Sequence, residues 1–139
     1  MIRPIVHASF MLNRPAQDAS PLNLEDVACA QDLRDTLASH AQECVGMAAN
    51  MIGQNKRIII FADKHGARIM YNPVITKKQS SYEAQESCLS LPGSRPCTRY
   101  RSICVQYLNE QNQLITEAFS GFIAQIIQHE IDHTNGILI

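Results

Sequence analysis

The chain has 139 residues, 45% hydrophobic and 18% charged, an ordinary globular composition for one domain spanning residues 1–139. A net charge of −1 gives no footprint for nucleic acid or an anionic membrane, and neither a secretory leader nor a membrane-length apolar run is legible. Cys29, Cys44, Cys88, Cys97 and Cys104 make an odd count without framework spacing, which points to a reducing, cytoplasmic compartment and at least one thiol free for chemistry.

Met1 to Pro21, punctuated by Pro4, Pro15 and Pro21, reads as an irregular arm lying over the domain. Asn23 then caps a helix with Glu25 and Asp26 in its first turn. Val27, Ala30, Leu33, Leu37, Ala38 and Ala41 are its expected buried stripe, its acids and amides a solvated face, and its end is near Gln42. Cys44 to Gly53 is rich in small residues and reads as a tight turn into the apolar strand Arg57 to Phe61. After a turn at Asp63 to Gly66, two strands flank Asn72-Pro73, and Lys77 to Ser81 reads as a polar loop. Glu86 to Pro92 is a short extended stretch carrying Cys88, and a lone cysteine before a leucine is most often a small buried hydrophobe. Ser102 to Leu108 and Leu114 to Phe119, joined by NEQNQ, form a hairpin. The order of elements predicts an α+β fold with mostly antiparallel strands packed around a C-terminal helix.

That last helix carries the sharpest signal. Phe122, Ile123, Ile126 and Ile127 mark one apolar face, Gly136 supplies the stop, and between them stands QHEIDHTNG. His129 and His133 are four apart, so both imidazoles lie on one helix face and can converge on one metal ion. Glu130 is rotated by roughly 100° from His129, too far to be a third ligand to the same ion, yet able to reach a water beside it. Two ligands and a general base is the physical sense of H-E-x-x-H. Asp132 offers an acceptor for a ligating imidazole, or is simply solvated, since it points off the His face. A third protein ligand must come from elsewhere in the chain.

Three stretches, in order, resemble the peptide deformylase family: CVGMAANM at Cys44 to Met51, ESCLS at Glu86 to Ser90, and QHEIDH at Gln128 to His133. The resemblance runs from about Cys44 to the end of the chain. It implies a Cys/His/His metal site made of Cys88, His129 and His133 with an open fourth position. The ion it implies is one divalent metal, usually ferrous iron, replaceable by zinc, nickel or cobalt. The implied reaction is removal of the N-formyl group from N-formylmethionyl peptides, including nascent chains at the ribosome, with Glu130 as base. The Leu89 backbone N–H would donate to the oxyanion, and main-chain groups of Val45 and Gly46 would hold the peptide. Arg95 falls where many members carry an arginine near the substrate.

The chain departs from the family at telling positions. Met51 stands where the family has a glutamine, and a thioether donates no hydrogen bond. Asn50 and Gln54 are out of register with it. Cys44 and Ser87 replace glycines, and Gln125 occupies a usually apolar position of the methionine pocket. The resemblance therefore implies an intact metal site and base beside an altered oxyanion hole. A catalytically impaired metal-binding protein, or an amidase for another small N-acyl group, are the alternatives these departures raise.

Overall fold

Strand Ile58–Asp63 explains the architecture, because its two faces feed two different cores. The computed structural model describes all 139 residues, Met1 to Ile139. Side chains alternate across a strand. Ile58 and Ile60 pack with Cys29, Ala30, Leu33 and Leu37 of one helix, while Ile59 and Phe61 pack with Ala124, Ile127 and Ile131 of another. Burial on both faces is why this stretch reads as an unbroken apolar run.

In chain order the elements are α1 (Ser9–Leu12), α2 (Leu24–Ser39), β1 (Gly46–Ala48), a 3-10 turn (Ala49–Ile52), β2 (Ile58–Asp63), β3 (Gly66–Cys88), β4 (Leu91–Leu108), β5 (Leu114–Ser120) and α3 (Gly121–Thr134). The strands form one sheet in the order β1-β2-β3-β4-β5, with every neighbouring pair antiparallel. This is the α+β fold expected, with α2 and α3 serving the two cores. No helix is long and apolar enough to cross a membrane.

Helix α2 begins as its sequence dictates: Asn23 Oδ1 accepts from the backbone N–H groups of Glu25 and Asp26 at 2.9 and 3.1 Å. Its buried stripe is rotated from the one expected. Val27, Ala38 and Ala41 are exposed, and Asp26, Asp32 and Thr36 are buried beside Cys29, Ala30, Leu33 and Leu37. The N-terminal arm causes this by supplying polar partners. Arg3 pairs with Asp32 at 2.9 Å, the Arg3 backbone N–H donates to Thr36 Oγ1 at 2.9 Å, and the Ser20 N–H donates to Asp26 Oδ2 at 2.9 Å. These polar groups are structural anchors, not a solvated face.

The loop expected at Lys77 to Ser81 does not exist. Those residues lie inside β3, paired with β4 through Lys77↔Cys104, Gln79↔Ser102 and Ser81↔Tyr100. Exposure on both faces gives this stretch a uniformly polar composition, so no period-2 signal betrays the strand. Register shifts near Asn72, Ile75 and Glu86 bend the ribbon. At the first of these, Asn72 has φ 53° and its amide clamps the arm by two 2.8 Å bonds to the Ala19 backbone. The ribbon ends in the turn Leu89–Ser90, which puts Cys88 at its tip.

Helix α3 ends in a left-handed Gly136 (φ 77°). The Gly136 N–H donates to His133 O at 3.1 Å and the Ile137 N–H to Asp132 O at 3.0 Å, a closed Schellman end. Ala124, Ile127 and Ile131 are its core residues. Phe122, expected on that apolar face, is instead 64% exposed, because it sits in the first turn beyond the edge of the sheet's cover.

Candidate metal centre and its cleft

The tip of the β3–β4 hairpin comes down on α3, and this contact builds the site. The Ser90 N–H points at Cys88 Sγ at 3.3 Å, and the ring of His7 in the arm donates from Nδ1 to Ser90 O at 3.0 Å, fixing the turn. From the other side, the Asn50 side chain donates to His133 O at 2.7 Å and ties the 3-10 turn to the end of α3. Ligand atoms of Cys88, His129 and His133 all lie within 4.8 Å of one another. The Nε2 atoms of His129 and His133 face each other at 3.2 Å. Two nitrogens at ~2.0–2.1 Å from one tetrahedral ion stand about 3.3 Å apart, so the donor set fits a single divalent ion.

Burial works against charge on His129, but bonds to Cys88 and Glu86 and the nearby Glu130 outweigh it and push its pKa up to about 10. Burial and the charge of His129 push His133 down to about 3. Of the two facing imidazoles, His129 thus carries the positive charge and His133 stays neutral, and His129 must give up its proton for both rings to hold a cation. Burial also pushes Glu130 up to about 7, and its Oε1 has no hydrogen-bond partner.

Behind His129 lies a buried ionic network. Glu86 accepts from His129 Nδ1 at 2.7 Å, from Arg99 Nη2 at 2.7 Å and from Gln125 Nε2 at 2.9 Å. Arg99 in turn donates to Asp132 Oδ2 at 2.7 Å. Burial opposes the charge on Glu86, yet the bonds from His129, Arg99 and Gln125 hold its carboxyl well below the usual carboxylate range. The carboxylate fixes the His129 ring so that Nε2 faces His133.

The centre opens into a cleft of about 290 Å³. Its walls include Val45, Gly46, Met51, Cys88, Leu89, Gln125, His129 and Glu130, together with the exposed Phe122. Gly46 gives the close approach needed here: a Cβ on it would lie 2.8 Å from Ile126 Cγ2 and 3.0 Å from Glu130 Oε2, so those side chains would have to shift. Met51 is 2% exposed, and its sulfur accepts weakly from the Ala48 N–H at 3.5 Å. Among the substrate-side residues singled out in the sequence, Arg95 is absent from these walls; it is half-buried and donates to Pro92 O at 2.7 Å within the hairpin tip.

A family model describing polypeptide deformylase matches residues 2–139. The chain belongs to this family. It is 46% identical to the peptide deformylase of Clostridium beijerinckii over the full length of both chains. It is 33% identical to peptide deformylase 1 of Nitrosomonas europaea, over 99% of this chain and 85% of that one. Among solved structures, the Met-Ala-Ser-bound class I type b peptide deformylase of Acinetobacter baumannii matches with a TM-score of 0.88 at 29% identity, covering 99% of this chain and 97% of its own. A peptide deformylase from Legionella pneumophila matches with a TM-score of 0.88 at 29% identity, covering 99% of this chain and 83% of its own. The protein is therefore a metallohydrolase of the deformylase type.

Two residues of this deformylase's site escaped the sequence reading. Glu86 stands two positions before Cys88 on a strand, a spacing that shares a face and was a usable signal. Arg99 carried none, because its role depends on Glu86 and Asp132, 13 and 33 residues away. Asp132 is half-buried and partners Arg99, and the acceptor for His129 is Glu86.

Proposed function

We propose that this family member removes the formyl group from N-formylmethionyl peptides and nascent chains, with one divalent ion held by Cys88, His129 and His133. The observation that carries the reading is Glu130, buried with an unpartnered Oε1 in the wall of the cleft that also holds Cys88 and His129. A buried carboxylate without partners costs stability and has no structural use there, so a purely structural metal site leaves it unexplained. A bound divalent ion, ferrous iron in the cell with zinc, nickel or cobalt as substitutes, supplies Lewis acidity toward the formyl oxygen and the attacking water.

Glu130 takes a proton from that water as the new C–O bond forms, and returns it to the nitrogen as the C–N bond breaks, leaving formate and a free amine. The Leu89 N–H, in the turn after Cys88, donates to the oxygen that gains charge. Met51 cannot add a second donor, so the oxyanion hole is one hydrogen bond short. The outer edge of β1 is unpaired in the sheet, which lets Gly46 and the Val45 N–H hold an extended peptide by main-chain bonds, the Val45 carbonyl being taken by the Ala62 N–H at 2.8 Å. Arg95, which is not among the lining residues, would meet the peptide beyond its first residue.

The test is release of formate from formyl-Met-Ala peptides by iron-loaded protein and by Glu130→Gln. The variant keeps its metal and loses ~10²–10⁴ in rate. Wild-type turnover by Glu130→Gln would exclude Glu130 as the base.

A further inference from the structure

Gln125 lines the cleft one helical turn, ~5.4 Å of rise, before His129 on the same face of α3. A peptide paired to the free edge of β1 alternates its side chains, so in the register that brings its formyl group to Glu130 the first side chain would face the part of the cleft lined by Gln125, Phe122 and Ile126. The amide of Gln125 has a fixed orientation there. Glu86 already accepts from Arg99 and His129, and a carboxylate so used has only acceptor sites to offer. Gln125 must therefore turn Nε2 toward Glu86, as the 2.9 Å bond shows, and Oε1 away from it. That bond is the only one the side chain makes, so its oxygen and one N–H remain free. The thioether of methionine satisfies neither group well. A side-chain amide satisfies both, and glutamine has nearly the length of methionine.

Building on the deformylase reading, we propose that Gln125 is a specificity-determining residue that gives the side-chain pocket an amide-recognising wall. Formylated peptides that begin with glutamine are then substrates alongside those that begin with methionine.

The experiment measures kcat/KM on formyl-Gln-Ala-Ser and formyl-Met-Ala-Ser for the wild type, Gln125→Leu and Gln125→Met, at matched metal loading. The Gln-to-Met substrate ratio should fall about tenfold in both variants, the value of one or two net hydrogen bonds. An unchanged ratio overturns the inference and leaves the deformylase reading standing. No turnover of either peptide by the wild type overturns the deformylase reading, and the inference with it. Product peptides give a measure that needs no variant to fold: Gln-Ala-Ser should inhibit the wild type at least as well as Met-Ala-Ser, and a tenfold preference for Met-Ala-Ser would also overturn the proposal.

Discussion

On the proposed deformylase mechanism, replacing Met51 with glutamine adds a side-chain donor to the cleft, and the geometry of the site sets the size of the expected gain. Met51 is 2% exposed and lines the same cleft as Leu89 and Glu130, so an amide at this position joins the wall those two residues share. Glutamine and methionine are of similar length, so the core around Ile52, Ile58 and Tyr71 keeps its packing. A full oxyanion donor is worth ~2.7–4 kcal/mol, or ~10²–10³ in kcat. Against this stands the cost of burying an amide whose second group finds no partner, about 1–3 kcal/mol. That cost falls on stability and partly on orientation, so the expected gain in kcat is about 10- to 100-fold, with KM nearly unchanged because the donor acts as charge develops. The melting temperature should drop by a few degrees. The assay is steady-state kinetics on formyl-Met-Ala-Ser with metal content matched between the proteins. An equal or lower kcat for Met51→Gln would mean that another group already fills the hole, and would refute the assignment of Met51 as its gap.

Arg99→Ala removes the cation between two carboxylates, Glu86 and Asp132, and should cost about 3–5 kcal/mol, lowering the melting temperature by about 10 °C or more; a drop under about 3 °C would contradict the network as described. The same variant should weaken metal binding by ~10–100-fold in a chelator competition, because Glu86 no longer fixes His129. Gly46→Ala pushes a methyl into Ile126 and Glu130, so about 1–3 kcal/mol of stability and most of the activity should be lost, and an active, stable variant would show the β1–α3 contact to be soft. Loading the metal-free protein at pH 8 should release at least one proton, since His129 is protonated below about 10 and must be neutral to ligate; an indicator dye in weak buffer that registers no release would contradict that charge state.

What the sequence determined alone is what depends on near neighbours. The i, i+4 pair His129 and His133 shares a face on any helix, Asn23 caps whatever helix follows it, and Ile58 to Phe61 is apolar on both faces of any strand. The family resemblance added Cys88 and the Leu89 turn, which no local rule connects to α3. Tertiary structure decided the rest, because each outcome depends on a partner far along the chain. Hydrogen bonding to β4 makes Lys77 to Ser81 a strand, since its polar side chains carry no period of their own. Partners in the arm turn α2 so that Asp32 and Thr36 are buried and Val27 is not. Only the descent of the hairpin tip onto α3 joins Glu86 to His129, 43 residues away, and through Arg99 to Asp132. The candidate site is thus a long-range product: the helix sets two imidazoles in register, and the sheet delivers the Cys88 thiol together with the carboxylate that orients the first imidazole.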